Sequence, residues 1–145
     1  MARVVPEDPF AGLPEAVAIP PRALDLADTA EPTAEDLLAR AAAAEEAALA
    51  VPGVTNSEGA DAGWARHDIA LVASNGFAGA YARTSHSISA TALAGTGTGM
   101  ERDYDYSSKV FASDLAAADE IGRGAGEKAV RRLNLYAEAG ADLLF

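Results

Sequence analysis

The sequence predicts an α+β fold in which an antiparallel β-meander carries helices on one face, as part of a larger α/β domain. Two observations predict this fold. Apolar residues recur at helical spacing near residues 33–50 and again after residue 113. Between these stretches, three runs alternate apolar and polar residues, which is typical of half-buried strands, and glycine-containing breaks separate them (64–74, 77–94 and 100–112).

The first helix is predicted over Thr33 to Ala50. Thr33 is the expected N-cap, and Asp36 three residues later completes a capping-box pattern. An apolar stripe follows at helical spacing: Leu37, Leu38, Ala41, Ala44, Ala48 and Leu49. Pro52-Gly53 ends the helix, and residues 54–63 are expected to form a loop or a distorted strand.

The dipeptide Asn75-Gly76 separates the first two strands and predicts a tight two-residue hairpin turn in which both residues have positive φ. In the first strand, His67 and Ile69 share one face, and Asp68 lies on the other. In the second strand, one face carries Ser85, Ser87, Ser89 and Thr91, and the opposite face carries His86, Ile88, Ala90 and Ala92.

A final helix is predicted from Ser113, as its N-cap, through Leu133. Gly122, Gly124 and Gly126 weaken it by about 1 kcal/mol each, so we expect them to allow a close approach to a sheet or another helix. Before the first helix, residues 1–32 hold six of the seven prolines. They predict an irregular arm with one short helical piece at residues 21–27.

Composition limits the classes of function. The 145 residues fit one domain, and the apolar half of the composition is rich in alanine with only 6% aromatic residues, which predicts a thin core. The net charge of −11 disfavours direct binding to nucleic acid. The chain has no cysteine, no apolar run long enough for a membrane span and no apolar signal segment at its start, so we expect a cytoplasmic protein without membrane contact.

No pattern assembles a catalytic or metal site. His67 and His86 lie 19 residues apart on neighbouring strands without a third ligand close by. The run Gly95–Gly99 precedes a strand where a phosphate loop needs a helix, and in Gly126-Glu127-Lys128 a glutamate stands where a Walker motif needs lysine. Ser85, Ser87 and Ser89 lack the strained turn of an esterase nucleophile.

One further cluster lies on the predicted third strand. Glu101, Asp103 and Asp105 share a face, with Arg102, Tyr104 and Tyr106 on the other. Three carboxylates could hold a cation, but an exposed face of an edge strand, whose charges discourage edge-to-edge aggregation, is the preferred interpretation.

Four separated stretches, VPGVTNSEGADAG, SNGFAGAYARTSHSISATALAG, MERDYDYSS and IGRGAGEKAVRRLN, resemble the TldD/PmbA family in its PmbA branch, over roughly residues 8–134. The family, first described as a modulator of DNA gyrase, is a cytoplasmic two-subunit metallopeptidase. Its zinc motif, H-E-x-x-x-H with a distant cysteine, belongs to the TldD-type subunit and has no match here. The resemblance therefore implies no catalytic, cofactor-binding or metal residue in this chain, and zinc only in the partner TldD-type subunit.

Family members are about three times longer than this chain. The resemblance thus implies an arm at 1–32, a partial amino-terminal α/β domain at 33–134, and an atypical tail at 135–145, truncated or foreign in origin.

Two functions stay open. The chain is either a non-catalytic segment of a metallopeptidase subunit, contacting a TldD-type subunit and a peptide substrate, or a free-standing interaction module that uses a sheet edge. An independent enzyme is disfavoured, and exposed apolar edges favour self-association.

Overall fold

In a computed structural model, which describes residues 6, 8–17 and 24–138, the chain forms a three-stranded antiparallel sheet of order β1-β2-β3 with two helices on one face. The predicted α+β meander is confirmed. Its elements are α1 (Ala34–Leu49), β1 (Val54–Val72), β2 (Ala78–Ala94), β3 (Glu101–Lys109) and α2 (Ala118–Glu138). Among the described helices, none is long and apolar enough to cross a membrane.

Helix α1 begins as its sequence predicts. The backbone N–H of Asp36 donates to Oγ1 of Thr33 (3.1 Å), and the backbone N–H of Thr33 donates to Oδ2 of Asp36 (2.9 Å), which completes the capping box. The Thr33 hydroxyl, followed by the Thr33 N–H, lowers the pKa of Asp36 because both stabilise the charged carboxylate.

The two helices pack through small residues. A Cβ at Gly122 would collide with the backbone carbonyl of Ala44, and one at Gly126 would lie 2.7 Å from Cγ2 of Val51 and 3.0 Å from the carbonyl oxygen of Ala48. The predicted role of these glycines in close approach is confirmed, with α1 as the neighbour. Gly124 faces the side chain of Asp105 on β3 instead.

The helix α2 starts later than predicted. Ser113 lies in a short 3-10 turn (Ala112–Asp114), and α2 begins only at Ala118, with Asp119 and Glu120 in its first turn. The prediction of Ser113 as its N-cap is therefore wrong. The cause is a turn after β3, in which the backbone N–H groups of Asp114 and Leu115 bond to the carbonyls of Phe111 and Ala112. At its other end, α2 continues through residues 135–138 of the predicted tail, and 139–145 lie outside the described residues.

Strands β1 and β2 form one long hairpin. β1 starts at Val54, so the segment predicted as a loop or distorted strand is a distorted strand, with register shifts between Val54 and Asn56 and between Ser57 and Gly59. The backbone N–H of Ala73 donates to the carbonyl of Phe77 (2.9 Å), and that of Gly76 donates to the carbonyl of Ala73 (3.0 Å).

These bonds close a three-residue loop at the predicted position, but only Gly76 has positive φ (+90°). The predicted two-residue turn is thus wrong in type, and the structure has the longer loop that ends in a left-handed glycine. Asn75 stabilises it through Oδ1, which accepts a bond from the N–H of Phe77 (3.1 Å).

The hairpin has two halves. In the covered half (54–65 and 84–94), every second residue of β2 faces the helices and is buried: Thr84, His86, Ile88, Ala90, Ala92 and Ala94. Strand β3 pairs with β2 only from His86 to Ala94, so the protruding half (66–72 and 78–83) extends beyond it. Apart from Ile88 and Ile121, each fully buried apolar residue among those described is an alanine, as the composition predicted.

The arm before α1 contains no helix or strand within residues 6, 8–17 and 24–33, and it turns at residues 9–10, where the N–H of Ala11 donates to the carbonyl of Asp8 (3.0 Å). Residues 24–27 are not helical, so the predicted helical piece is wrong there, and 21–23 lie outside the described residues. The backbone N–H of Thr84 donates to the carbonyl of Leu26 (3.0 Å), and Nδ2 of Asn75 donates to the carbonyl of Pro14 (2.7 Å). Two backbone carbonyls of the arm are therefore satisfied by the β1–β2 hairpin, one by the backbone of β2 and one by the Asn75 side chain in its loop.

Candidate interaction surface

The face of the sheet opposite the helices carries no described element over it. This open face presents small polar side chains of β2, flanked by tyrosines of β3 and by small residues of β1. Its residues are Asp61, Gly63, Ala65, Ser85, Ser87, Ser89, Thr91, Leu93, Tyr104 and Tyr106. Directly paired residues of antiparallel strands share a face, so the register alone gathers this set. The predicted serine face of β2 is confirmed as one side of the sheet.

Tyr104 and Tyr106 form the most prominent part of the open face. They are 58% and 64% exposed, and their ring centroids lie 6.2 Å apart in a stacked arrangement. At the end of the same face, Nη1 of Arg102 lies 2.7 Å from Oε2 of Glu58, a pair that crosses β2 because β2 lies between their strands. Exposed, paired aromatic rings of this kind are typical of contact surfaces.

The three carboxylates of β3 are not on an exposed face, and that interpretation is wrong. Asp103 and Asp105 point toward α2, where Oδ2 of Asp103 lies 3.5 Å from Nη1 of Arg132 and Oδ1 of Asp105 lies 2.8 Å from Nζ of Lys128. All three are half-buried. The basic residues of α2 fall outside the β3 motif in sequence, so the strand pattern alone could not reveal these partners.

The same two aspartates also close the outer edge of β3. Oδ1 of Asp103 accepts the backbone N–H of Tyr104 (2.8 Å), and Oδ1 of Asp105 accepts that of Tyr106 (2.9 Å). Nη1 of Arg132 donates to the backbone carbonyl of Arg102 (3.2 Å). Since backbone groups of alternate residues point away from β2, these three bonds occupy groups that a further strand would need.

His86 and Asp28 fasten the arm to β2. The His86 side chain is 0% exposed. Its Nε2 lies 3.3 Å from Oδ2 of Asp28, which is close enough for an ion pair, but the two atoms do not meet the geometry of a hydrogen bond. Asp28 also accepts the backbone N–H of Ala112 (2.7 Å) and that of Ala30 (3.0 Å). These two backbone donors, and then His86, lower the pKa of Asp28. Sequence reasoning missed Asp28, because no pattern in the arm distinguishes it.

The two histidines lie on opposite faces of the sheet. His86 faces the helices, whereas His67 pairs with Arg83 on the side of the open face. No group of three metal-ligating side chains occurs within residues 6, 8–17 and 24–138. The run Gly95–Gly99 forms the predicted turn between strands, with positive φ at Gly95 and Gly97. On the same side of the sheet, Ser85, Ser87 and Ser89 lie directly opposite Ala65, Gly63 and Asp61 of β1.

Comparisons with known proteins agree with this fold. Residues 27–133 match the family model described as the PmbA/TldA metallopeptidase central domain. The chain therefore belongs to the PmbA/TldD family, whose members are metallopeptidase-related. The family model refers to a central domain, whereas the sequence predicts a partial amino-terminal domain over residues 33–134. The predicted domain limits stay a prediction.

Individual relatives extend the comparison. The chain is 33% identical over 138 residues to a protein of Escherichia coli O157:H7 named Metalloprotease PmbA, and the match covers 92% of this chain and 30% of that protein. A solved structure from Bacteroides thetaiotaomicron, named as a candidate modulator of DNA gyrase, superposes with a TM-score of 0.67 at 26% identity, covering 91% of this chain and 30% of the other.

A second solved structure, from Thermotoga maritima and similarly named, gives a TM-score of 0.62 at 18% identity over 68% of this chain and 23% of the other, which supports the fold. The chain thus spans about 30% of the length of the curated relative that it matches.

Proposed function

We propose that the chain is a non-catalytic part of a PmbA/TldD-type metallopeptidase subunit involved in peptide and unfolded-protein breakdown, and that its open face contacts the partner subunit or the peptide. Family membership over residues 27–133 supports the metallopeptidase class. The observation that carries the contact role is the stacked, solvent-exposed pair of Tyr104 and Tyr106 beside a row of small polar side chains.

The physical reason is that small side chains leave a shallow, flat surface on β2 while the two tyrosines form a wall along β3. A partner segment on this surface can bury both rings and still bond to serine hydroxyls. We propose a TldD-type subunit as the principal partner, with zinc held there and not by this chain, and we propose a cytoplasmic location for the assembly.

Binding to a TldD-type subunit tests the contact role. Titration calorimetry of the chain against the purified subunit is expected to show binding, and Tyr104→Ala with Tyr106→Ala to weaken it at least about tenfold, since buried interface tyrosines often contribute more than 1 kcal/mol. Tyr81→Ala is the matched control, because Tyr81 is an exposed tyrosine of the protruding half. Equal loss in the control would contradict the assignment of this face.

Cleavage of an unstructured peptide tests the non-catalytic role. We expect no cleavage by the chain alone, with or without added zinc, and cleavage only when a TldD-type subunit is present. Peptide cleavage by the isolated chain that disappears with a chelator would show that it is itself an enzyme.

A free-standing interaction module is the second candidate. The observation that favours it is the outer edge of β1, which pairs with no other strand in the described part of the chain and is a ready template for a partner strand. If the chain binds no TldD-type subunit but captures an extended peptide, this second function replaces the first.

A further inference from the structure

The two edge strands of the sheet differ in how their outer backbone groups are satisfied. The outer edge of β3 is closed by Asp103, Asp105 and Arg132. On β1, the N–H of Gly59 donates to Oγ of Ser57 (2.8 Å) beside the register shifts. From residue 60 to residue 72, no side chain in the described part of the chain bonds to the β1 backbone. This regular stretch is therefore open to strand addition.

The sequence of that open stretch is complementary to itself. Arg66 and Asp68 flank His67 on one face of β1, and within one chain their side chains already lie 3.3 Å apart. In an antiparallel pair of two such strands centred on His67, Arg66 of each copy lies opposite Asp68 of the other. The four charges then alternate around a square, and each cation has two carboxylate neighbours.

Apolar residues fit the same register. Opposite residues have numbers that add to 134, so Gly63 meets Leu71, Ala65 meets Ile69, and Ala62 meets Val72. In each pair a small side chain faces a larger one, which allows side chains to interdigitate. Leu71 and Val72 are 61% and 78% exposed in the single chain, and this pairing gives both a neighbour.

We propose that two copies of this chain associate through the outer edges of β1, antiparallel over residues 62–72, with His67 on the two-fold axis. The result is one continuous six-stranded sheet with an isologous interface. This inference concerns self-association and does not rest on the proposed function.

The charges also exclude the neighbouring registers. Backbone groups that point outward recur at every second residue, so the register moves in steps that change the sum of paired numbers by two. A sum of 132 places Arg66 opposite Arg66, and a sum of 136 places Asp68 opposite Asp68. Like charges directly opposite one another are destabilising, so both registers next to the one centred on His67 are disfavoured.

The net charge of −11 per chain opposes association. The dimer is therefore expected to be concentration-dependent and absent in dilute solution at low salt. Moderate salt screens the repulsion between whole molecules more than the short contacts at the interface.

A charge-reversal experiment tests the register. Sedimentation of the 145-residue chain is expected to show a monomer–dimer equilibrium. In Asp68→Arg, two attractive pairs become repulsive, and the same holds for Arg66→Asp, so each variant alone is expected to dimerise at least about tenfold more weakly. A mixture of the two variants restores both opposite-charge pairs across the interface and is expected to form a heterodimer. Because each variant must be folded to do so, rescue separates an interface effect from misfolding.

Disulfide cross-linking provides an independent test, since the chain has no native cysteine. Two Cα atoms opposite each other on antiparallel strands are close enough for a disulfide. His67→Cys is therefore expected to form a covalent dimer under mild oxidation, whereas Ala65→Cys, placed two residues from the axis, is expected to form far less.

Three outcomes would overturn the proposal: a chain that stays monomeric at all concentrations, a mixture that fails to rescue association, or equal cross-linking at positions 65 and 67. Capture of an extended peptide by β1, with no dimer, would assign the edge to a different partner.

Discussion

The covered and protruding halves of the β1–β2 hairpin carry a similar alternation and have different environments. In the covered half, Ile88 is buried beneath the helices, whereas in the protruding half Leu71 is 61% exposed and Tyr81 is 47% exposed. The difference arises from where α1, α2 and β3 end, and not from the strands themselves. Burial in this hairpin is therefore decided by its neighbours, and the strand pattern alone fixes only which residues share a face.

The comparison also explains how the alanine-rich core works. Small residues on β2 and α1 allow the helices to lie close to the sheet and to each other, so backbone contact replaces the area that larger side chains would bury. The protruding half has no such partner, and its larger apolar side chains remain at the surface.

Truncating one apolar side chain in each half should give the largest contrast. Ile88→Ala is expected to lower the free energy of unfolding by about 2–5 kcal/mol, because it removes methyl groups from a closely packed site. Leu71→Ala is the matched control and is expected to cost less than about 1 kcal/mol, since that side chain is mainly in water. Urea unfolding of both variants at a concentration where the chain is monomeric measures the difference. Equal losses would mean that the protruding half is also packed.

The helix contact above the covered half gives a smaller effect. Gly122→Ala gains about 1 kcal/mol of helix propensity but places a methyl group against the Ala44 carbonyl, which cannot rotate away. Overpacking costs about 1–3 kcal/mol. After the gain in helix propensity is subtracted, we expect a net loss of up to about 2 kcal/mol.

Gly99→Ala is the control for this change, because no atom lies within 4 Å of the added methyl group and its φ is not positive. Thermal unfolding should separate the two variants. A stabilised Gly122→Ala protein would show that the helices lie farther apart than described.

The sequence predicted those parts of the molecule that depend on local chemistry. The capping box at Thr33, the hairpin at Gly76, the two faces of β2 and the glycines of α2 were all recognisable, because each reflects a spacing or a backbone preference. The turn type at Asn75 was wrong because a three-residue loop and a two-residue turn share the same dipeptide signal.

The remaining errors concern tertiary partners. The carboxylates of β3 were assigned to an exposed face because Lys128 and Arg132 lie more than twenty residues later, on an element whose position the strand pattern does not specify. Asp28 was missed for the same reason, since Ala112 and His86 meet it only in the folded chain. The open face was foreseen as a row of serines, but not the stack of Tyr104 and Tyr106 beside it.

The smallest expected effect concerns the arm where it crosses from the covered to the protruding half. The pKa of Asp28 is lowered in the folded chain, chiefly by the N–H of Ala112. Its contribution to stability is therefore present above the carboxyl's ordinary pKa of 3.8 and is lost as the pH falls through the lower folded value. The amide resonance of Ala112, followed by NMR, should therefore titrate with a midpoint below pH 3.8. Asp28→Asn is expected to abolish that step while the Asp36 amide keeps its own titration at the α1 capping box, where the pKa is also lowered.

Because Asp28 holds the arm and not the core, acid should release residues 24–28 from β2 before the sheet unfolds. An Ala112 titration midpoint at or above pH 3.8 would contradict the described contact. Simultaneous loss of the arm and the Ile88 core signals would show that the two halves of the hairpin unfold as one unit.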